Sequence, residues 1–491
     1  MRCQFFGRKL VIARLFSADG IRGIIDKHPL RRQDVERLGR TLALWLRNMT
    51  PIPTFLIGAD TRESSHRLKA ALVEGLTRGG VRVVDAGILP TAAISYLIIR
   101  KGSFAGGAMV SASHNPIVEN GIKVFNHRGV KVSDETEHLI ENLFFGDTVL
   151  PFEIRPAVMA EQPELIQHYA LALVREVMTR ERLQSRVLID CAHGAVSQIG
   201  PLVLEKLRIP HTVLNASPDG TNINRDAGSE HVRANPGFLA QELQRYGASL
   251  GIALDGDADR AVFVDENGRL YDGDLVLAML ALKLRAERRL QQDTVIITPM
   301  SNSGLAHYLR RYGIITRIVQ NGDKYITKAL VEDDLTLGGE EIGHIIAHTD
   351  SFHVTGDGLR TALLVLAALA ESPDATLRDL IPGMRKWPQV KASVWIGHGT
   401  PLPQACDIPG LLTLLDQTRS AITDLVSFEC RPASTEPVYR IMLEARRTDT
   451  AVLAQYTRGI AEYIQQHIGR VGSPISILNC TVGGYLHEEQ F

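Results

Sequence analysis

The sequence predicts an α/β protein of several domains with a smaller α+β domain near its C-terminal end. A chain of 491 residues is too long for one hydrophobic core and suggests three or four domains. Helical and strand patterns alternate along most of the chain, which is typical of α/β folds. From about Trp387 the pattern changes to short strands with more proline, which indicates a domain of another kind.

The first section predicts helices that alternate with strands. Residues 34–47 carry apolar side chains at helical spacing, and 54–58 form a short apolar run that is typical of a strand. A second helix has its apolar face over 68–76 and a stop signal in the glycine pair at 79–80. Two further strands are predicted at 81–85 and 104–110.

Polar loops follow several of the predicted strands. The strand at 104–110 leads into a serine-containing turn. Three later strands, each followed by a polar loop, are predicted at 187–190, 249–254 and 294–298. Because ligands gather at the carboxyl ends of strands in open α/β sheets, we expect one composite site built from several domains.

Residues 111–116, which read SASHNP, form the first motif with a chemical interpretation. Pro116 restricts Asn115, and the serine, histidine and asparagine composition favours a turn that holds a side chain outward. The hydroxyl of Ser113 could carry a phosphoryl group, which divides one difficult exchange into two in-line transfers. An ordinary polar turn is the alternative.

Residues 255–260, which read DGDADR, form the second motif. Asp255, Asp257 and Asp259 alternate, so an extended loop can direct all three carboxylates at one point. Their repulsion requires a cation, and a hard divalent ion is the natural occupant. Arg260 could hold a phosphate as a planar fork. A solvated acidic turn is the alternative, which the preceding apolar strand disfavours.

Three weaker segments complete the set, and each is explained equally well by a polar surface turn. Residues 431–436 with Arg440 offer guanidinium groups, hydroxyls and backbone amides for a phosphate that is bound rather than transferred. Residues 339–344, GEEIGH, place carboxylates and an imidazole where they could hold sugar hydroxyls. Residues 19–23 place Arg22 where its charge could lie near a transferred phosphate.

The composition argues against two classes of partner. The net charge is −1, so no strong field attracts nucleic acid or an anionic membrane. No apolar run reaches the ~18 residues that a membrane span requires. Arg8, Lys9 and Arg14 interrupt the N-terminal apolar stretch, which makes it a poor signal peptide. Five cysteines without paired spacing predict a reducing, cytoplasmic environment and no zinc site.

Taken together and in this order, the segments resemble the α-D-phosphohexomutase superfamily, and within it the phosphoglucosamine mutase branch. The resemblance covers roughly residues 15–470. The segments that carry it are SADGIRG (17–23), SASHNP (111–116), NGIKVF (120–125), DGTNIN (219–224), DGDADR (255–260), MSNSGL (300–305), NGDKY (321–325), TGDGL (355–359) and RPASTEP (431–437).

The resemblance implies four domains around a central cleft, namely three α/β domains with mixed sheets and a smaller C-terminal α+β domain. Each domain would supply one loop to the cleft. In chain order, the four loops would carry the phosphoserine, the metal ligands, the sugar ligands and a phosphate site. The predicted bounds are 1–152, 153–264, 265–386 and 387–474. For the last stretch, 475–491, a C-terminal tail and a strand added late are the alternatives.

The resemblance also implies residue roles. Ser113 would be the phosphoserine and, with Asp255, Asp257 and Asp259, would bind one Mg²⁺. Candidates for proton transfer and charge stabilisation are Arg22, Lys123 and His344, with His114 beside the serine. The implied substrate ligands are Arg260, Asp323, Glu340, Arg431, Ser434, Thr435 and Arg440.

The implied reaction converts glucosamine 6-phosphate to glucosamine 1-phosphate through glucosamine 1,6-bisphosphate, which is also the activator. This step would feed UDP-N-acetylglucosamine and hence peptidoglycan precursors. The partner is a phosphosugar rather than nucleic acid or membrane, the location is cytoplasmic, and a homodimer is left open.

Three segments depart from the family pattern. Ile342 replaces a serine in the sugar loop, Ala433 and Ser434 alter the phosphate loop, and the first motif begins Ser17-Ala18 instead of Gly-Thr. Each lost hydrogen bond to a substrate would cost about 1–2 kcal/mol. Weaker or altered sugar recognition is therefore expected, with two alternatives: a mannose or glucose phosphate mutase, or a weakly active paralogue that binds a phosphosugar.

Overall fold

The structure is a computed structural model of the chain. It describes residues 14–17, 19–146, 159–177, 185–349, 353–372, 375–397, 402–433, 438–469 and 475–486.

The first sheet combines a parallel α/β unit with an antiparallel edge. Its elements are β1 (Ile21–Ile24), α1 (Arg32–Arg47), β2 (Thr54–Ala59), α2 (Glu63–Arg78), β3 (Arg82–Ile88), α3 (Thr91–Lys101), β4 (Gly106–Val110), β5 (Glu119–Asn126), α4 (Asp134–Phe145) and β6 (Met159–Glu161). The strand order is β1-β5-β4-β2-β3-β6. Strands β4, β2, β3 and β6 are parallel, whereas β5 is antiparallel to both β1 and β4.

The second sheet has five strands in the order β11-β10-β9-β7-β8. Its section of the chain comprises α5 (Leu165–Val177), β7 (Val187–Asp190), α6 (Ile199–Lys206), β8 (His211–Leu214), α7 (Gly228–Ala234), α8 (Pro236–Tyr246), β9 (Leu250–Leu254), β10 (Ala261–Asp265) and β11 (Leu270–Tyr271). Strand β7 is parallel to β8 and β9, and β10 is antiparallel to β9 and β11.

The third sheet has four strands in the order β13-β12-β14-β15, of which β15 alone is antiparallel to its neighbour. Its section comprises α9 (Gly273–Ala286), β12 (Thr294–Ile297), α10 (Ser303–Arg310), β13 (Ile315–Ile318), α11 (Asp323–Glu332), β14 (Leu337–Gly339), β15 (Ile345–Ala347) and α12 (Gly358–Ala370). A short 3₁₀ helix, Gln291–Asp293, precedes β12.

The fourth sheet is antiparallel throughout, in the order β17-β18-β16-β19-β20. Its section comprises β16 (Gln389–Trp395), the 3₁₀ helix Ala405–Asp407, α13 (Leu411–Ala421), β17 (Leu425–Pro432), β18 (Val438–Ala445), α14 (Thr450–Ile468), β19 (Ser476–Asn479) and β20 (Tyr485–Leu486). Three mixed α/β sheets and one antiparallel α+β sheet confirm the predicted fold class.

The predicted secondary structure differs from the observed elements chiefly at their ends. The first helix begins at Arg32 instead of residue 34, because its first turn is polar and carries no apolar signal. Of the alternatives for the last stretch, the structure shows an added strand, since β19 pairs with β16. A tail is therefore wrong for residues 475–486.

Two strands lie across the predicted domain boundaries. Strand β6 follows the boundary predicted at 152–153, yet it pairs with β3 in the first sheet. Strand β11 follows the boundary predicted at 264–265, yet it pairs with β10 in the second sheet. An apolar pattern in a short strand does not state which sheet the strand joins. The domain bounds themselves stay predictions.

One hydrophobic core is continuous through the first three sections. It includes Leu56 and Phe125 from the first sheet, Ile252 from the second and Val295 from the third. Helices α3, α5, α6, α9 and α12 pack against one another within it. The fourth sheet has a separate core, which includes Val390 and Leu453. The first three domains therefore share one hydrophobic core, whereas the fourth domain has its own.

None of the helices in the described residues is long and apolar enough to cross a membrane. The four described cysteines are all free thiols, as the absence of paired spacing predicts.

Helices α1 and α2 cross at unusually close range. A Cβ atom at Gly75 would overlap the carbonyl oxygen of Glu36, and one at Gly39 would overlap that of Leu72. Both overlaps are with backbone, which cannot rotate away. Glycine at these two positions is therefore a packing requirement of the first domain.

We expect Gly75→Ala to destabilise the protein by about 1–3 kcal/mol, because the extra methyl group forces α1 and α2 apart. The matched control is Gly459→Ala in α14, where a Cβ meets nothing and alanine should stabilise by about 0.5–1 kcal/mol through helix propensity. Urea unfolding followed by circular dichroism checks both. Equal midpoints for the two variants would contradict the close helix contact.

Candidate active site

Ser113 lies directly beyond the carboxyl end of β4 and is 1% exposed. Its φ is 53°, a left-handed conformation that a residue with a Cβ adopts at a cost of about 1–3 kcal/mol. Its N–H donates to Ser111 Oγ (2.9 Å), and its hydroxyl donates to Asp255 Oδ2. Two motifs 142 residues apart therefore meet at one hydroxyl.

Arg62 holds the serine turn in this conformation. Its side chain is fully buried and is paired with Asp60 (3.0 Å). Its terminal nitrogens donate to the carbonyl oxygens of Ser113 (3.1 Å), Asn115 (2.6 Å), Pro116 (2.8 Å) and Glu119 (3.1 Å). A planar cation with several donors can replace the regular hydrogen bonds that an irregular loop lacks. Arg62 therefore fixes the backbone that presents Ser113.

Sequence reasoning missed Arg62, although a signal was present. Asp60 and Arg62 directly follow β2, which lies beside β4. The expectation that polar residues at strand ends gather at one site applies to them as it does to Ser113.

The three aspartates of the second motif lie in the loop between β9 and β10. All are buried, and each offers an oxygen within 4.8 Å of the others. Burial, and then the charges of Asp259 and Asp257, raise the pKa of Asp255 well above its usual value. Burial would also raise the pKa of Asp259, but Lys123 and then His344 hold it well below.

The carboxylates suit a hard divalent cation. Within the described part of the chain, Asp257 Oδ1 and Asp259 Oδ1 are buried without a hydrogen-bond partner. Such orphaned oxygens are costly unless a cation occupies the space between them. Carboxylate and phosphate oxygens are the ligands that Mg²⁺ prefers. This buried group of carboxylates can therefore hold a metal ion.

Lys123 neutralises part of the negative charge of the three aspartates. Its buried Nζ lies 2.7 Å from Asp257 Oδ2 and 2.6 Å from Asp259 Oδ2. Burial alone would lower the pKa of Lys123, but Asp19, Asp257 and Asp259 together raise it well above its usual value. A proton-accepting lysine would require a depressed pKa. In this arrangement the neighbouring carboxylates favour the charged form of Lys123.

A chain of alternating charges continues from Lys123 into the third domain. Lys131 pairs with Asp19 and lies 2.7 Å from Asp323 Oδ2. His344 Nε2 lies 3.6 Å from that same oxygen, and His344 Nδ1 lies 3.7 Å from Asp259 Oδ1. These contacts bring the predicted residues Asp323 and His344 to the aspartate loop. Asp19 and Lys131 were not among the predicted site residues.

His344 and His114 differ in their electrostatic surroundings. Burial would lower the pKa of His344, but Asp259 and Asp323 raise it to about 8. Burial and Arg260 lower the pKa of His114 to about 3, so His114 is neutral near pH 7. Its Nδ1 lies 3.4 Å from Ser113 Oγ.

Two arginines flank the serine and the aspartate loop. Arg22 donates to the carbonyl oxygen of Ser111 (2.9 Å) and to Asp19. Arg260 donates from its backbone N–H to Asp255 Oδ1 (3.1 Å) and from its side chain to Glu230 (2.9 Å). One guanidinium group therefore contacts the serine turn, and the other lies 3.8 Å from Asp259 Oδ1 in the aspartate loop.

Glu340 lies at the end of β14. Its Oε1 accepts from the backbone N–H of Gly322 (3.2 Å), and its own N–H donates to the carbonyl oxygen of His344 (2.9 Å). Burial raises its pKa. The neighbouring Ile342 is half-buried. The loop therefore places one carboxylate beside His344, with an apolar side chain close by.

Arg431 and Arg440 face each other across the β17–β18 pair. Like charges directly opposite on neighbouring strands repel, so a shared anion would stabilise them. Ser434 and Thr435, the other predicted residues of this loop, lie outside the described residues.

Three family models match the chain. They describe domains I, II and III of phosphoglucomutase/phosphomannomutase, each as alpha/beta/alpha, and match residues 13–149, 167–268 and 272–386.

Individual proteins agree with the family models. A phosphoglucosamine mutase of Koribacter versatilis is 37% identical over 93% of this chain and 98% of its own length. A family protein from Burkholderia thailandensis shares the fold, with a TM-score of 0.71, 22% identity, and coverage of 94% of this chain and 98% of its own. An N-acetylphosphoglucosamine mutase of Aspergillus fumigatus, solved in complex with GlcNAc-6P and magnesium, also shares the fold. Its TM-score is 0.56 at 17% identity, and the match covers 77% of this chain and 94% of that one. The chain therefore belongs to the phosphoglucomutase/phosphomannomutase family, in its phosphoglucosamine mutase branch.

Proposed function

We propose that this phosphohexomutase interconverts glucosamine 6-phosphate and glucosamine 1-phosphate through glucosamine 1,6-bisphosphate, with phosphorylated Ser113 as the carrier. The observation that carries the proposal is the contact between the buried Ser113 hydroxyl and Asp255 within the group of three carboxylates. The bisphosphate is also the activator. The reaction feeds UDP-N-acetylglucosamine synthesis.

In the first transfer, the bond between phosphorus and Ser113 Oγ breaks as a bond forms to the free hydroxyl oxygen of the sugar phosphate. The proton of that hydroxyl passes, through the proton-exchanging side chains of the site, to Ser113 Oγ, so the products are the bisphosphate and the free serine hydroxyl. In the second transfer, the other phosphoryl group passes to Ser113 Oγ, and the proton that this hydroxyl loses passes back to the released sugar oxygen. Atoms and charge balance over the pair, so the enzyme returns to its phosphorylated form.

The chain's own residues supply charge and proton exchange. Lys123 and Arg22 place positive charge beside the transferring group, in a site where burial strengthens electrostatic interactions. His344 Nε2 is buried, lies 3.6 Å from Asp323 Oδ2 and has no hydrogen-bond partner in the described part of the chain, and we assign it a hydrogen bond to the reacting sugar oxygen. His114 contacts the serine hydroxyl.

Mg²⁺ held by Asp255, Asp257, Asp259 and the group on Ser113 would neutralise charge on the transferring phosphoryl group. The orphaned oxygens of Asp257 and Asp259 support this assignment.

Reorientation of the bisphosphate requires a second anion site. Arg431 and Arg440, opposite each other on neighbouring strands, support such a site in the fourth domain, to which we also assign Ser434 and Thr435. Arg260 would hold the phosphoryl group near Ser113. Glu340 and Asp323 would bind the sugar between the two phosphate sites. A homodimer and a cytoplasmic location stay predictions.

Sugar preference is tested by ³¹P NMR of the phosphorylated protein with Mg²⁺ and a trace of the 1,6-bisphosphate. Parallel samples contain glucosamine, mannose or glucose 6-phosphate. We expect glucosamine 1-phosphate to grow fastest, which would make Ile342 a tolerated change. Faster turnover of mannose or glucose phosphate would contradict the proposed substrate, and no turnover in any sample would contradict the mutase function.

Phosphorylation of Ser113 is tested by intact mass. We expect the purified protein to carry one phosphate that is absent from Ser113→Ala, because this hydroxyl is the acceptor of the second transfer. Ser113→Ala should also lose mutase activity. The control is Ser103→Ala, which alters an exposed serine before β4 and should keep the phosphate. A phosphate retained by Ser113→Ala would exclude Ser113 as the carrier.

Metal binding is tested by thermal unfolding. A cation that binds only the folded state stabilises it by about 2.7 kcal/mol at one hundred times its Kd, so Mg²⁺ should raise the unfolding midpoint of the wild type. Asp257→Asn removes one ligand charge and should abolish most of this shift as well as the activity. An equal Mg²⁺ shift in both proteins would place the metal elsewhere.

A further inference from the structure

The C-terminal hairpin, defined here as residues 476–486, links the fourth domain to the second. Its first strand, β19, pairs with β16 of the fourth sheet, and the backbone N–H of Cys480 donates to the carbonyl oxygen of Gln389 (2.9 Å). Its turn lies against the second domain, where the N–H of Gly484 donates to the carbonyl oxygen of Arg233 (2.9 Å) at the end of α7.

Of the two glycines in this turn, Gly483 is the more tightly packed. A Cβ added there would lie 2.8 Å from Leu270 Cδ2, 2.8 Å from Pro236 Cγ and 3.1 Å from the carbonyl oxygen of Arg233. The neighbouring Gly484 has space around it, with its nearest atom at 3.9 Å. At Gly483, but not at Gly484, the turn therefore packs too closely against the junction of α7 and α8 to admit a side chain.

Helix α7 carries two charged side chains that lead from the hairpin to the active site. Arg233 is 6% exposed and donates to both carboxylate oxygens of Glu230 (3.1 and 3.0 Å). Glu230 also accepts from Arg260 (2.9 Å). One carboxylate thus orients two guanidinium groups, and the second of them, that of Arg260, lies beside Asp259 in the aspartate loop.

The bond to Glu230 leaves the Nε–H of Arg260 as a donor that could bind a ligand. It is buried and has no hydrogen-bond partner within the residues the structure describes, and it lies 3.8 Å from Asp259 Oδ1. A buried guanidinium donor without an acceptor is costly, and a phosphoryl oxygen on Ser113 would satisfy it. The direction of that donor depends on the bond that Glu230 accepts from the other end of the guanidinium.

We propose that the C-terminal hairpin, Arg233 and Glu230 form a positioning unit for Arg260. The hairpin docks on α7, Arg233 and Glu230 hold each other on that helix, and Glu230 aims Arg260 at the phosphoryl group. Because the hairpin belongs to the fourth sheet, docking of the fourth domain and alignment of Arg260 are coupled. The inference rests on the proposed function for its catalytic consequence, but the docking itself is independent of the substrate.

The test compares Gly483→Ala with Gly484→Ala. Both glycines have positive φ, 84° and 89°, so both variants introduce the same backbone strain, but only Gly483→Ala pushes the turn off α7. Misalignment of a reacting group by about 1 Å costs up to ~100-fold in rate. We therefore expect kcat of Gly483→Ala to be about tenfold below that of Gly484→Ala, with little change in KM. Equal kcat values would overturn the inference.

A double-mutant cycle with Glu230→Ala separates positioning from general destabilisation. If the hairpin acts through Glu230, adding Gly483→Ala to Glu230→Ala lowers kcat little further, whereas independent effects multiply. Glu230→Gln keeps an acceptor for one arginine and should retain more activity than Glu230→Ala. Multiplying losses, or equal activity of the two Glu230 variants, would overturn the proposed route.

Amide hydrogen exchange tests the docking without any turnover. We expect faster exchange over residues 228–234 and 255–260 in Gly483→Ala than in Gly484→Ala, because an undocked hairpin leaves α7 less constrained. Unchanged exchange would overturn the inference even in an active enzyme. An inactive wild type with the expected exchange would instead contradict the proposed function and leave the docking supported.

Discussion

The mutual repulsion of three buried carboxylates is the constraint on which the rest of the active site depends. Asp255, Asp257 and Asp259 lie within 4.8 Å of one another, where the dielectric is low and uncompensated charge is expensive. Lys123 compensates part of the charge from one side. The oxygens that remain without a hydrogen-bond partner, Asp257 Oδ1 and Asp259 Oδ1, are ligands that a divalent cation could use. The cost of this cluster explains why Lys123, His344 and Arg260 lie next to it.

Charge compensation also determines how the domains meet. Lys123 and Lys131 belong to the first domain, the aspartates to the second, and Asp323 and His344 to the third. The contacts of Lys123 with Asp259, of Lys131 with Asp323 and of His344 with Asp259 each join side chains of opposite charge from two domains. Each is buried, so removal of one member would leave a charge unpaired. The continuous apolar core of these domains and the buried charges at its edge therefore specify the same arrangement.

The fourth domain is attached in another way. Its core is separate, and its contacts with the others include polar ones, such as Lys391 with Glu341 and Ser303 with Glu444 (2.7 Å). A polar interface can open and close at lower cost than an apolar one. This suits a domain that must admit a phosphosugar and retain a bisphosphate while it turns. The C-terminal hairpin adds a link to α7 through the hydrogen bond from Gly484 to Arg233.

The sequence by itself determined the fold class, and it predicted Ser113 and the three aspartates as the reacting groups. Apolar periodicity specifies helices and strands because burial acts on every residue of an element, and strands such as β7 were predicted to the residue. The serine and aspartate motifs each lie within six consecutive residues, so the sequence alone is enough to predict their chemistry. Only the tertiary structure decided which distant groups control them. Arg62 acts on carbonyl oxygens more than fifty residues away, and Glu230 orients Arg260 from 30 residues away. Three carboxylates from two domains surround Lys123 and favour its charged form. Such roles depend on distances between residues that are far apart in the chain, which local sequence patterns do not specify.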